Sequence, residues 1–357
     1  MPLFSLQYLR GVAALMVVLV HLQLQLGRTG YQGYWPGWTA AGVDIFFLLS
    51  GFLMWHTTAG RDQSPLEFWR RRIARIVPLY WLLTSLVVAV LVFAPRLMQS
   101  TRLDWVNVVA SYFFVFTPAN SGRLEPVLLV GWTLNYEMLF YLVYGAALAL
   151  PARWRFGATA LVIVALVAAD YPAFGRPGVQ AVRGSSLMLE FVFGMAVAAW
   201  WRWSMRPGAG NTTGPGAGAG WALLAVGFLA LPLGEGFWPG LPPAIAGGLP
   251  ATAILCGALL VERAGALPRL PALRWLGDLS FSLYLSHPIV LSAFTQVWMR
   301  LGLNRLPGGI VLFGVAAVLV CLVVGWALYR LVELPLTRRF NAYTGARLSR
   351  QVPARVS

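Results

Sequence analysis

The chain has 357 residues, 59% of them in the apolar and aromatic set AVILMFWYC and only 11% charged, where an ordinary soluble domain carries roughly 45–50% apolar and about 25% charged residues. Apolar runs recur from end to end, which excludes a pair of soluble domains and leaves one polytopic, all-α membrane bundle. All 27 basic residues are Arg and the formal net charge is +15, but the arginines sit in short clusters between apolar spans, so a nucleic-acid partner is excluded and membrane lipid is the expected environment.

Taking about 20 apolar residues per crossing, spans are predicted at approximately 9–26, 39–58, 75–94, 128–150, 157–171, 184–202, 220–234, 243–261, 279–299 and 308–329. The first is retained rather than cleaved as a signal peptide, because no small-x-small site follows His21 and Gln23. A further stretch, 105–118, is apolar but interrupted by Asn107 and Ser111. With ten spans and both termini cytoplasmic, 19 of the 27 arginines face the cytoplasm; an eleventh crossing at 105–118 would flip every later loop and leave 11. The positive-inside tendency therefore favours ten, with 105–118 re-entrant or interfacial. Pro207 to Gly220 reads as a Gly-rich linker whose Asn211 sequon faces the cytoplasm. Residues 1–335 form the transmembrane domain and 336–357 a short basic cytoplasmic tail. Cys256 and Cys321 lie in apolar runs without ligand spacing, so neither a disulfide framework nor a metal site is expected.

Ionisable residues inside such spans are costly and mark function. Arg10 and His21 are eleven residues apart, about three full helical turns, which puts them on one face of the first span and roughly 16 Å apart along it. Arg10 is near the cytoplasmic surface and His21 in the outer half. Asp44 opens the second span at a depth similar to His21, and Glu137 sits in the outer half of the fourth beside Trp132 and Tyr136. His287 is near mid-membrane in the ninth and precedes Pro288, so a kink and a chemical role compete there. His56 reads as interfacial. Before the third span, Arg71 and Arg75 are four apart and Arg72 and Arg75 three apart, so part of the cluster shares a helix face. Such a cluster suits anionic lipid or the phosphates of an anionic cofactor.

Six segments, in order, carry a resemblance over nearly the whole chain: Arg10 and His21 with ten residues between them, Gly42-Val-Asp-Ile-Phe-Phe-Leu-Leu-Ser-Gly-Phe52, Arg71-Arg-Ile-Ala-Arg-Ile-Val-Pro78, Trp132-Thr-Leu-Asn-Tyr-Glu137, Tyr284-Leu-Ser-His287 and Val332-Glu-Leu-Pro335. The chain resembles the membrane-bound acyltransferase-3 family, which O-acylates sugars, polysaccharides, lipids and some antibiotics, and it is similar to the stand-alone members without a fused hydrolase-like domain. The resemblance implies an acyl-coenzyme A donor bound from the cytoplasm and not held permanently, His21 as the catalytic residue, Arg10 as its companion, and the Arg72 to Arg75 pair in donor binding.

The residues themselves support that chemistry. A His of ordinary pKa near 6.5 can take a proton from a sugar hydroxyl, and Asp44 or Glu137 could orient it as a triad carboxylate does. Arg10, Arg71, Arg72 and Arg75 are the candidate donor-binding residues, with His287, Trp132 and Tyr284 in support and Glu333 assigned to structure. The expected reaction is transfer of an acyl group, acetyl first, to a carbohydrate or lipid-linked acceptor at the outer face of a bacterial cytoplasmic membrane, directly in a ternary complex rather than through an acyl-His. The alternatives are a transporter or flippase with the same ionisable groups lining a pathway and a catalytically silent binding protein.

Overall fold

The computed structural model describes residues 3–98, 101–117, 125–170, 186–206, 216–237 and 240–339. They form eleven α-helices and no strand: α1 (Phe4–Arg28), α2 (Gly42–Thr58), α3 (Pro65–Phe93), α4 (Trp105–Tyr112), α5 (Gly131–Ala147), α6 (Ala152–Asp170), α7 (Met188–Ser204), α8 (Ala217–Phe237), α9 (Leu249–Arg263), α10 (Pro271–Arg300) and α11 (Gly309–Leu328). Each of the ten apolar runs coincides with a long helix. Among the described residues of the stretch at 105–118, 105–117, the helix is the eight-residue α4, about 12 Å long against a hydrocarbon core of about 30 Å.

Seven helical stretches are long and apolar enough to cross a membrane: Phe4–Arg28, Gly37–Thr58, Pro65–Phe93, Ala152–Ala169, Ala217–Gly234, Ala244–Arg263 and Gly309–Arg339. Of the others, α5 and α7 have 17 residues each, and α10 carries Ser280, Ser282, Ser286 and His287, all turned into the bundle at 1% exposure or less. On the outside of α11, by contrast, Val311, Leu319 and Val323 are more than half exposed, an apolar belt suited to lipid tails.

Several boundaries differ from the predicted spans, and two of them bear on the site and the tail. α3 starts ten residues before the run at 75, because Ser64 caps it by accepting from the Glu67 N–H at 3.2 Å, with Pro65 in the first turn. The arginine cluster thus lies within α3 itself, as the shared helix face of Arg71, Arg72 and Arg75 requires. At the other end, a π turn at Tyr329–Glu333 continues α11, and helix persists to Arg339, four residues into the expected tail. Residues 340–357 and most of the Gly-rich linker, 207–215 with Asn211, lie outside the described residues.

The long helices alternate in direction. One end of the bundle gathers the N-termini of α1, α3, α6, α8 and α10 and the C-termini of α2, α5, α7, α9 and α11. There the Phe4 N–H donates to Glu262 at the end of α9 at 2.7 Å, Trp69 Nε1 to the Tyr141 carbonyl at 2.9 Å, Arg155 to the Arg61 carbonyl at 3.3 Å and Arg202 to the His56 carbonyl at 3.3 Å. Close approach of backbones sets the central pairs. A Cβ on Gly277 of α10 would strike the Gln7 backbone of α1, and one on Gly194 of α7 would strike the Leu48 carbonyl of α2; small residues at such crossings are how helices pack tightly in lipid. The chain between α1 and α2 runs back along α1, so that Gly42 abuts Ala13 to Val17. Asp44 consequently lies deeper than His21, not level with it.

Candidate active site

The α1–α10 contact builds the site. Helical periodicity turns both Arg10 and His21 toward α10, as their spacing requires. Near the N-terminus of α1 Arg10 donates to Ser280 Oγ at 3.0 Å and to Gln7 Oε1 at 3.2 Å. Three turns further along, His21 meets a second histidine. His287 Nε2 is 3.3 Å from His21 Nδ1, and the rings lie edge to face with centroids 4.9 Å apart.

The surrounding carbonyls determine which nitrogens carry hydrogen, since a carbonyl only accepts. His287 Nδ1 is 3.2 Å from the Leu283 carbonyl, so it holds a proton and its Nε2 presents a lone pair to His21. His21 Nδ1 faces that lone pair and the Val17 carbonyl at 2.9 Å, so it too is protonated. The lone pair of neutral His21 is thereby on Nε2, away from His287. His287 is completely buried; His21 keeps some accessible surface.

Below this pair lies a narrow cavity of about 90 Å³, lined among others by Arg10, Arg72, Arg75, Glu137, Ser280 and Tyr284. The Arg72 guanidinium sits over the rings of Phe68 and Tyr141, 5.6 and 5.8 Å from their centroids, and its buried Nε has no hydrogen-bond partner. Arg71 does not line the cavity. It pairs with Glu67 one turn earlier on an exposed face, because i and i+4 project together. Of the cluster, the 72 and 75 pair alone is brought to Arg10. Tyr284 joins the two levels: its ring borders the cavity, its hydroxyl is 2.6 Å from Thr133 Oγ1, and its ring centroid is 5.9 Å from that of His287.

Neither carboxylate expected to orient His21 does so. Glu137 accepts from Ser50 Oγ at 2.6 Å and from the Tyr141 hydroxyl at 2.5 Å, which commits it to the cavity wall. Asp44 faces Glu190 of α7, with Gly247 and Gly248 pressed against the two carboxyl groups. The side chain beside His21 is instead His287 of α10, several helices away in sequence from either acid. Trp132 stacks edge-on against Tyr136 rather than bordering the cavity. His56 lies in the last turn of α2, stacked on Phe52. Glu333 accepts from Ser282 at 2.6 Å and stands near Arg10 and Arg75 as their counter-charge.

Sequence reasoning missed Glu190 and the hydroxyl partners Ser50, Thr133 and Ser280. Glu190 had a usable signal, a lone acid in the apolar run around MLEFVFGM. The hydroxyls had none, since Ser and Thr in apolar helices usually bond their own backbone.

An acyltransferase-domain family profile matches residues 3–330. The exopolysaccharide production protein ExoZ of Rhizobium meliloti is 36% identical over 308 residues, covering 85% of this chain and 91% of that protein. The acyltransferase MdmB of Streptomyces mycarofaciens is 29% identical over 389 residues, covering 94% and 91%. The peptidoglycan O-acetyltransferase OatA of Listeria monocytogenes is 30% identical over 162 residues, 42% of this chain and 25% of that one. No solved structure matches. A cationic cavity under a histidine pair, on apolar helices and within a profile that spans 3–330, has one reading: the chain is an integral membrane protein that belongs to the acyltransferase-3 family.

Proposed function

We propose that the protein moves an acetyl group from acyl-coenzyme A to a hydroxyl of a polysaccharide or its lipid-linked precursor, with His21 as general base. The observation that carries this reading is the stacking of two sites along α1 and α10: an arginine cavity at one level and, joined to it through Tyr284, a paired histidine whose Nε2 lone pair is free. Guanidinium groups suit the donor's phosphates. Roughly 16 Å of helix separates Arg10 from His21, a length an extended pantetheine arm can span.

In the reaction the acceptor hydroxyl loses its proton to His21 Nε2 as its oxygen bonds to the thioester carbonyl carbon. The C–S bond then breaks, and the leaving thiolate takes the proton back from His21. No net proton is consumed. The end holding Arg10, Arg72 and Arg75 also holds Arg61, Arg155 and Arg202, so the positive-inside tendency puts it in the cytoplasm and directs His21 toward the outer face, in a bundle of ten crossings. The polysaccharide acceptor rests on likeness to the exopolysaccharide and peptidoglycan proteins named above, and the bacterial cytoplasmic membrane on the supply of donor from the cytoplasm.

The test is thiol release from acetyl-coenzyme A by the purified protein in vesicles, with the host's surface polysaccharide as acceptor. Loss of a general base lowers rates by about 10²–10⁴, so His21→Ala should lose transfer to that extent. Equal thiol release by wild type and His21→Ala, or none by either when both are folded, overturns the reading and returns the polar pathway to a transporter.

A further inference from the structure

A second, wider cleft lies at the other end of α1. The helix stops in a Schellman motif: the Tyr31 N–H donates to the Leu26 carbonyl at 3.1 Å and the Gly30 N–H to the Gly27 carbonyl at 3.2 Å, with Gly30 at φ +100°, a conformation open to glycine. The chain then folds back over the helix. Trp35 Nε1 donates to the Leu19 carbonyl at 2.8 Å, and the Tyr31 hydroxyl to the Tyr34 carbonyl at 2.8 Å. Between helix and returning loop is an open cleft of about 540 Å³, lined among others by Gln23, Leu24, Arg28, Tyr31 and Gln32.

Its chemistry and its place both point to a ligand. Two amides, a phenol ring and a guanidinium over an apolar floor are groups that hold sugars, through hydroxyl hydrogen bonds and ring stacking. Arg28 follows His21 by seven residues, 20° short of two turns, so it shares the face of the proposed base and lies roughly 10 Å beyond it. That is the span of about two sugar rings. Arg28 donates to Gln25 Oε1 at 2.9 Å, and among the described residues no carboxylate pairs with it, the single ion pair there being Arg71–Glu67. A guanidinium has five N–H donors in a planar fork matched to a carboxylate.

Resting on the transferase reading above, we infer that this cleft is the acceptor subsite and that it holds a carboxylate-bearing sugar unit, gripped by Arg28, next to the unit whose hydroxyl is offered to His21. The same chemistry would serve a phospholipid headgroup at the outer interface, and the assay separates the two.

The assay follows acetyl transfer in phosphatidylcholine vesicles to the host's polysaccharide and to the same polymer with its carboxyl groups reduced to alcohols. Wild type should favour the native polymer at least tenfold in kcat/KM through a lower acceptor KM. Arg28→Ala should raise that KM at least tenfold and erase the preference, leaving the KM for acetyl-coenzyme A unchanged; Gln23→Ala should weaken both polymers alike. Equal use of the two polymers by wild type, or a preference that survives Arg28→Ala, overturns the proposal. So does an Arg28 effect that appears only when phosphatidylglycerol is added, which would identify a headgroup site. His21-dependent thioester turnover without transfer to either polymer refutes the acidic-saccharide acceptor while leaving the donor chemistry standing; absence of that turnover refutes the transferase reading instead.

Discussion

Replacing His287 tests whether the second histidine works through the first. His287→Asn keeps a side-chain N–H near the Leu283 carbonyl but removes the Nε2 lone pair 3.3 Å from His21 Nδ1. The Val17 carbonyl, at 2.9 Å, still accepts from Nδ1, so the tautomer survives and only one of two orienting contacts is lost. A hydrogen bond of this kind is worth about 0.5–1.5 kcal/mol, or up to ~3 kcal/mol once His21 becomes cationic in the transition state. At about 1.4 kcal/mol per decade, kcat should fall roughly 10- to 100-fold, less than the loss from His21→Ala. The KM for acetyl-coenzyme A should stay unchanged, because His287 does not border the arginine cavity. His287→Gln, whose longer side chain can return an acceptor toward His21, should recover part of the loss. In the His21→Ala background, His287→Asn should cost nothing further, since residues acting as one unit are not additive. Steady-state transfer in vesicles, with a thermal melt of each variant in detergent, reads all of this. Wild-type kcat in His287→Asn, or equal losses in the Asn and Gln variants that track their melting temperatures, would refute a positioning role and leave His287 as core packing beside Pro288.

Within the arginine cluster, Arg72→Ala should raise the KM for acetyl-coenzyme A about tenfold or more, as expected for a lost charge-assisted contact of about 1.5–3 kcal/mol; Arg71→Ala, removing an exposed pair with Glu67 worth under ~1 kcal/mol, should leave it near wild type. Matching effects of the two would contradict the division of the cluster. Gly194→Leu forces α7 away from the Leu48 carbonyl, and overpacking of this kind costs typically ~1–3 kcal/mol, so the melting temperature should drop; an unaltered melt would mean the helices can part freely. Glu190→Gln keeps the shape of a side chain with no exposed surface while removing like-charge opposition to Asp44, and it should melt no lower than wild type, whereas Glu190→Ala should melt lower through the cavity it leaves. A lower melt for Glu190→Gln would show that the fold needs a negative charge there.

The helices were legible because hydropathy and helical period are local properties. Each apolar run marked a helix, and the polar breaks at Asn107 and Ser111 set 105–118 apart from them, where the short α4 is found. The common face of Arg10 and His21 follows from spacing alone. What faces His21 is a different kind of information. His287 is 266 residues away, and nothing local distinguishes it from a residue at a proline kink, whereas Asp44 and Glu137 had the more familiar chemistry for an orienting role. Asp44 was misjudged in depth because the chain after α1 folds back along it before α2 begins. Glu137 was misjudged because its partners, Ser50 and Tyr141, belong to residue types too common in apolar helices to stand out. Arg71 shares a face with Arg75 by spacing, yet it pairs with Glu67 one turn earlier, and that pairing, not the spacing, decides which ligand it can reach.

The narrowness of the inner cavity bears on the membrane's ability to hold a gradient. A single file of water across a hydrocarbon core of about 30 Å needs about eleven molecules at ~2.8 Å spacing. The cavity's lining reaches Tyr284 and takes in neither His21 nor His287. Side chains, Tyr284 and the fully buried His287 among them, stand between that cavity and His21. In the proposed reaction an acyl arm passing between the two levels must push those side chains apart and fill the space with its own methylenes. That reaction thus asks for a path opened by the donor itself and not for a standing channel of water.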